Sequence, residues 1–79
     1  MENKPLFLMN SNVLTLFTGK KITKAREEKE MSVSDLADSC NVSEEELHQI
    51  ELGNLYCSTD LLIKLGDILG VRASWFLKG

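Results

Sequence analysis

The sequence predicts an all-α fold, with five short helices packed as one compact orthogonal bundle. Apolar residues recur at helical spacing from residue 20 onward. Serine or threonine precedes most of the apolar runs, and Asn or Gly follows them, as is typical of helix starts and stops. The chain has 79 residues, of which 43% are hydrophobic, so it is long enough for a single domain with one small core.

The first segment, residues 1–18, differs from the rest of the chain. Two apolar runs, Leu6–Met9 and Val13–Phe17, are separated by Asn10–Asn12. Because asparagine tolerates the left-handed backbone of tight turns, this pattern predicts a short N-terminal β-hairpin or arm. An isolated hairpin is only marginally stable, so we expect it to pack on the domain or to pair with a second copy.

A helix is the alternative structure for this part of the chain. It would begin at Ser11 or Asn12 and continue to residue 30. Gly19 and two threonines disfavour it, because both residue types have low helix propensity.

We expect residues 19–79 to form the helical domain. Helix formers run from Lys20 to Glu30, and Ser74–Leu77 is expected to form a last helical turn. The expected N-caps are Ser32, Ser43 and either Ser58 or Thr59. The expected C-terminal stops are Asn41, Gly53 and Gly70. The residues expected to face the core are Ile22, Ala25, Met31, Leu36, Ala37, Cys40, Leu47, Ile50, Leu61, Leu62, Leu65 and either Ile68 or Leu69.

The segment 32–53 predicts two helices joined by a turn of three to four residues. Ala37 is small where the helices would cross, and Asn41 can bend the chain between them. Val42 and Ile50 would hold the two helices at a fixed angle. Such a corner leaves the second helix raised on the surface, where it can enter a DNA major groove ~12 Å wide.

These residues resemble the Cro/repressor-type (XRE-like) helix-turn-helix domains, and they are similar to the DNA-binding domains of lambdoid phage repressors. The resemblance covers about residues 19–79. The matching segments are Arg26–Lys29, Leu36–Ala37, Val42–Ser43, Ile50–Gly53, Leu69–Val71 and Trp75–Leu77. It implies a sequence-specific transcriptional regulator that binds DNA as a homodimer, with helix 43–52 in the major groove. It also implies a partly buried ion pair between Arg26 and Glu51, which would fix the third helix on the first.

The candidate DNA-binding residues follow from the positions that the family uses. They are Ser43, Glu44, Glu45, His48 and Gln49 on helix 43–52, Ser34 on the preceding helix, and Lys20, Lys21 and Lys24 on the first helix. Gln49 is suited to reading adenine, and the lysines to phosphates. The sequence departs from the family at Val33, where glutamine is common, and in the loop Asn54–Ser58, which has neither Lys nor Arg.

The net charge of −3 and the run Glu44–Glu46 oppose DNA binding. The glutamates have three interpretations. They can stabilise the helix start through its dipole, or one of them can accept a hydrogen bond from a cytosine amino group. Alternatively, this surface meets a basic protein, and the chain is a protein-binding module such as an antirepressor or an antitoxin-like partner.

Few phosphate contacts per subunit imply a homodimer on a palindromic operator, because one copy alone would bind weakly. The candidate dimerisation residues are Phe7, Leu14, Trp75 and Phe76.

Several classes are disfavoured by composition. Cys40 and Cys57 are too far apart for a metal-binding pair, and His48 alone cannot complete one, so two reduced thiols are expected. We expect no cofactor and no enzymatic activity, since there is neither a nucleophile–base pair nor a glycine-rich phosphate loop. No apolar run approaches the ~18 residues of a membrane span, and no signal peptide is apparent, so a cytoplasmic location is expected.

Overall fold

The computed structural model describes the backbone of residues 3–78 and the side chains of residues 13–78. Within that range the chain forms four α-helices and one 3₁₀ turn, with no strand. The elements are α1 (Asn3–Glu28), α2 (Val33–Cys40), α3 (Glu44–Leu52), α4 (Thr59–Leu69) and the 3₁₀ turn (Ala73–Leu77). The predicted all-α class is confirmed, but the last of the five predicted helices is the 3₁₀ turn.

The predicted N-terminal β-hairpin is wrong, because Asn3–Glu28 is one uninterrupted helix. This helix continues through residue 18, where the sequence predicted the boundary between an N-terminal segment and the helical domain. Gly19, which argued against a helix, lies where α1 crosses the end of α3, and an added Cβ would collide with the carbonyl oxygens of Ile50 and Glu51. The glycine therefore permits a close helix–helix contact and does not break the helix.

The predicted caps are present at both ends of the short helices. The hydroxyl oxygens of three serines accept hydrogen bonds from backbone N–H groups three residues later, at 3.0–3.2 Å. These N-caps are Ser32, Ser43 and Ser58. The residues that follow α2, α3 and α4 all have positive φ, as expected of left-handed C-caps. They are Asn41 (φ 62°), Gly53 (φ 84°) and Gly70 (φ 77°).

The core lies between the four α-helices, and the 3₁₀ turn closes it. Its members are Ile22, Ala25, Leu36, Ala37, Cys40, Leu47, Ile50, Cys57, Leu61, Leu62, Leu65, Leu69 and Phe76. The residues expected to face inward are among them except Met31, which packs against this core while partly exposed, and of the pair Ile68 and Leu69 it is Leu69 that is buried. Val42 and Val71, which follow the left-handed C-caps of α2 and α4, pack against this core while partly exposed.

The shape of the molecule is set by α1. The extents are 43 × 23 × 20 Å, and a helix of 26 residues is ~39 Å long at 1.5 Å per residue. The first half of α1 therefore extends past the bundle. In the described part of the chain, no helix is both long enough and apolar enough to cross a bilayer.

Candidate functional site

A short turn joins α2 to α3 and fixes the angle between them. Asn41 takes the left-handed conformation, and its N–H points back at the carbonyl groups of Ala37 and Asp38. The N–H of Val42 bonds to the Ala37 carbonyl at 3.0 Å. Ala37 is 1% exposed, so its small side chain permits the close approach of the two helices. Helix, turn and helix therefore form the predicted corner, with α3 as its second helix.

The inner side of α3 is anchored by apolar burial and by charge. Leu47 and Ile50 are fully buried. The expected ion pair is present: Arg26 Nε donates to Glu51 Oε2 at 2.8 Å and Nη2 donates to Oε1 at 3.1 Å. Both side chains are largely buried, with exposed fractions of 13% and 6%. The hydrogen bond to the Glu51 carboxylate raises the pKa of Arg26.

Two further groups complete the hydrogen bonding of this pair. The Thr23 hydroxyl lies 2.9 Å from Glu51 Oε1 and 3.0 Å from the Gly19 carbonyl oxygen, so its one proton is available to either acceptor. Arg26 Nη1 donates to the Met31 carbonyl at 2.8 Å. The pair is thus bidentate and its remaining polar atoms are used, which makes it a rigid link between α1 and α3. Sequence reasoning missed Thr23, although it precedes Arg26 by three residues and so shares its helix face.

The outer side of α3 is open to solvent. Its exposed members are Ser43, Glu44, Glu45, Glu46 and His48. The Ser43 hydroxyl oxygen already accepts the Glu46 N–H at 3.0 Å, so its first role is to cap the helix.

A polar row links Glu45, Gln49 and Asn54. Gln49 Nε2 donates to Glu45 Oε2 at 3.1 Å, and Asn54 Nδ2 donates to Gln49 Oε1 at 3.0 Å. Both ends of the Gln49 amide are held, so the side chain is oriented before any ligand arrives. Asn54 was not among the predicted site residues. Its position five residues after Gln49, just beyond the Gly53 cap, was the available signal.

On α2, Ser34 is exposed and Val33 packs against the core while half-buried. Val33 stands where the family often has glutamine, and in this chain it contributes to the packing of the bundle.

The three candidate lysines of α1 differ in their surroundings. Lys20 and Lys24 are exposed. Lys21 is half-buried, and its Nζ lies 4.3 Å from the centroid of the Trp75 ring and 5.4 Å from that of Phe17. This cation–π contact ties Lys21 to its own domain, so it is less available to a phosphate than the other two.

Basic side chains are absent from the middle of the sequence. No Lys or Arg occurs from Glu30 to Ile63, a range that includes α2, α3 and the loop after α3. Positive charge beside this surface must therefore come from α1 or from the C-terminal part of the chain.

The four candidate dimerisation residues differ in how far the structure shows their side chains to be exposed. Phe76 is fully buried, so assigning it to a dimer surface is wrong: its ring fills the core of its own domain. Leu14 is 46% exposed and Trp75 is half-buried. Phe7 lies outside the residues whose side chains the structure describes.

Cys40 and Cys57 are both free and buried. Burial raises the pKa of Cys40, and it raises that of Cys57 to about 12. Among the described residues, no group of three His, Cys, Asp or Glu side chains is placed to hold a metal ion.

The fold and the exposed α3 define a helix-turn-helix domain of the kind found in DNA-binding regulators of transcription. A model of the helix-turn-helix family HTH_3 matches residues 22–76, most of the chain. The chain therefore belongs to this XRE-type helix-turn-helix family.

The solved structure of a gene regulator has a similar fold. The clp gene regulator ClgR from Corynebacterium glutamicum is similar, with a TM-score of 0.78 and 26% sequence identity. The similarity covers 81% of this chain and 68% of that one. No curated protein gives a significant match to the sequence.

Proposed function

We propose that the chain is a sequence-specific DNA-binding regulator of transcription that acts as a homodimer, with α3 in the major groove. One observation carries this proposal: α3 is fixed to the bundle along one side, while the outward side chains of its first turns stay exposed. A rigid helix with a free polar face is what direct readout of base edges requires. The family and the gene regulator that shares the fold support the same function.

Gln49 is the proposed base-reading residue. Each end of its amide is engaged by one neighbour, Glu45 or Asn54. A glutamine amide has two N–H donors and two carbonyl lone pairs, so one donor and one acceptor remain. That pair matches the N6 and N7 edge of adenine in the major groove. Substituting Gln49 with alanine should therefore weaken specific binding ~10–100-fold.

Lys20 and Lys24 are the proposed phosphate contacts, because they are the exposed cations among the α1 residues whose side chains the structure describes. Their removal should weaken binding to all duplexes alike, with no change in sequence preference. With so few cations in each copy, useful affinity requires two subunits on a palindromic site with half-sites about one DNA turn apart.

The test is a fluorescence anisotropy titration against duplexes from the DNA upstream of the chain's own gene, at several salt concentrations. Specific binding should appear, and Lys24→Ala should reduce the slope of log K against log salt by ~0.9 for each subunit. Lys64→Ala is the charge-matched control, since Lys64 is an exposed residue of α4. Absence of any preferred duplex would contradict the proposal.

The second candidate is a protein-binding module, and the acidic start of α3 favours it. Glu44, Glu45 and Glu46 are all exposed, and the helix-turn-helix unit has no Lys or Arg to offset them. Their partner would be a basic protein surface, as for an antirepressor or an antitoxin-like protein. Changing both Glu44 and Glu45 to glutamine should then abolish partner binding, whereas on the DNA-binding proposal it should strengthen duplex binding.

A further inference from the structure

A cavity of about 110 Å³ lies where the projecting half of α1 leaves the bundle. Leu14 and Thr18 of α1 form one wall, Tyr56 and Cys57 of the loop after α3 form another, and Leu77 of the 3₁₀ turn closes it. None of its lining residues carries a charge at neutral pH. The cavity is smaller than the pockets that hold drug-sized ligands.

The rim of this cavity is unusually apolar for a surface. Leu14 is 46% exposed, Leu77 49% and Tyr56 70%. Val13 and Leu16, on the same helix as Leu14, are 61% and 44% exposed. A helix that exposes apolar side chains on more than one face normally packs against another element.

After Lys4 near its start, the projecting segment is uncharged. No Asp, Glu, Lys or Arg occurs from Pro5 to Gly19, the longest such stretch in the sequence. Its direction is fixed, because Gly19 brings α1 against the carbonyl groups of Ile50 and Glu51. All of this stretch precedes residue 22, where the match to the family model begins, so it is an addition to the shared domain.

We propose that the occupant of this cavity is the projecting α1 of a second copy of this chain, bound reciprocally about a two-fold axis. The surface and the segment lie at the same end of one molecule, so a two-fold rotation brings each onto the other. Both are largely apolar, and apart from Lys4 neither carries a charge, so neither would select a charged partner. The size of the cavity matches a single large apolar side chain of the partner.

This interface deepens the proposed function, on which it rests, by naming the surface that would make the regulator a dimer. Self-association is measured without DNA, so the two proposals fail separately. A dimer that binds no duplex would support the proposed interface and contradict the proposed function as a DNA-binding regulator. A monomer that binds a preferred duplex would support DNA binding and contradict the proposed interface.

Sedimentation equilibrium of the full chain over a range of concentrations tests the interface. The wild type should dimerise, and Tyr56→Lys should raise the dissociation constant ~30-fold or more, as expected for a hot-spot residue. Tyr56 is 70% exposed, so this change should leave the fold intact, which far-UV circular dichroism checks. Leu14→Glu should also raise the dissociation constant of the dimer. Ile63→Lys is the control, because Ile63 is an exposed apolar residue of α4 outside the cavity lining.

Thiol labelling gives a second measurement at the same site. Cys57 lines the cavity and Cys40 does not, so Cys40 is an internal control. Raising the protein concentration through the dimerisation range should slow methylthiolation of Cys57 ~10-fold once the monomer fraction has fallen to about a tenth, and should slow that of Cys40 much less. A chain that stays monomeric at all concentrations would overturn the proposal. A dimer would also overturn it if Tyr56→Lys left the dissociation constant unchanged and dimerisation did not slow the labelling of Cys57.

Discussion

The two ends of α3 differ in almost every physical respect. At the carboxyl end, Glu51 is 6% exposed in its side chain and holds a bidentate ion pair with Arg26. The backbone there lies against Gly19 of α1. At the amino end, Glu44, Glu45 and Glu46 carry the same type of charge but are exposed, and the restraints are the Ser43 cap and the hydrogen bond from Gln49 to Glu45.

This contrast separates architecture from binding within one short helix. A buried glutamate must be paired, since an isolated buried charge is strongly unfavourable. An exposed glutamate in a first turn gains only a modest dipole stabilisation and is free to change. Changes at the carboxyl end should therefore alter folding, whereas changes at the amino end should alter binding.

The largest expected effect is at the buried carboxylate. Glu51→Ala leaves Arg26 largely buried without its partner, and should lower the free energy of unfolding by about 3 kcal/mol. Urea denaturation followed by circular dichroism measures it. Glu44→Ala is the matched control on the same helix and should change the free energy of unfolding by less than about 0.5 kcal/mol. Equal losses at both positions would remove the contrast between the two ends.

Gly19→Ala should have the next largest effect. Alanine favours a helix by ~1 kcal/mol over glycine, so a free helix would be stabilised. Here the added methyl group collides with backbone carbonyls of α3, and we expect a net loss of about 2 kcal/mol. Thermal unfolding compared with Ser39→Ala, at an exposed position of α2, measures the loss. A stabilised Gly19→Ala protein would show that α1 and α3 do not approach this closely.

The cap at the amino end should contribute less. Ser43→Ala removes the acceptor for the Glu46 N–H and should lower the free energy of unfolding by about 1 kcal/mol. Ser43→Gly, which costs only a few tenths of a kcal/mol at an N-cap, separates the loss of the cap from other effects. Hydrogen exchange of the α3 amides should speed up in Ser43→Ala. No difference between the alanine and glycine variants would argue against the cap.

The smallest effect is on affinity and concerns a single exposed carboxylate. Glu44→Gln removes one negative charge from the surface that meets the phosphates, and should tighten duplex binding a few-fold at low salt. The gain should disappear as the salt concentration rises, because screening removes the repulsion. Anisotropy titrations at two ionic strengths measure it, with Glu28→Gln, on α1, as the control. Weaker binding in Glu44→Gln would instead indicate that this glutamate contacts a base.

Most of the domain could be predicted from its sequence because its signals are local. The serine caps, Asn41 and the glycine stops depend on the backbone within a few residues, and the core positions follow helical spacing. The ion pair between Arg26 and Glu51 was expected from the family resemblance. Its partner Thr23 was not, because that contact depends on how α1 lies across α3.

The first helix shows where local signals fail. Val13–Phe17 has the residue types of a strand, and Gly19 has a low helix propensity. Both preferences were outweighed by the contact with α3, which only a glycine permits. Glu30, which takes φ 57° just after α1, also has no local signal of the kind that Asn41 provides. For the site, the sequence could place Gln49 on the outer face but could not show the restraint by Glu45 and Asn54.

The most direct test of the central claim is a ¹H–¹⁵N correlation spectrum recorded while the chain is titrated with its preferred duplex. We expect the largest shift changes on the amides of residues 43–49 and on those near Lys20 and Lys24, and none on α4. Changes confined to other faces, or no changes with any duplex, would contradict the claim that the exposed face of α3 binds DNA.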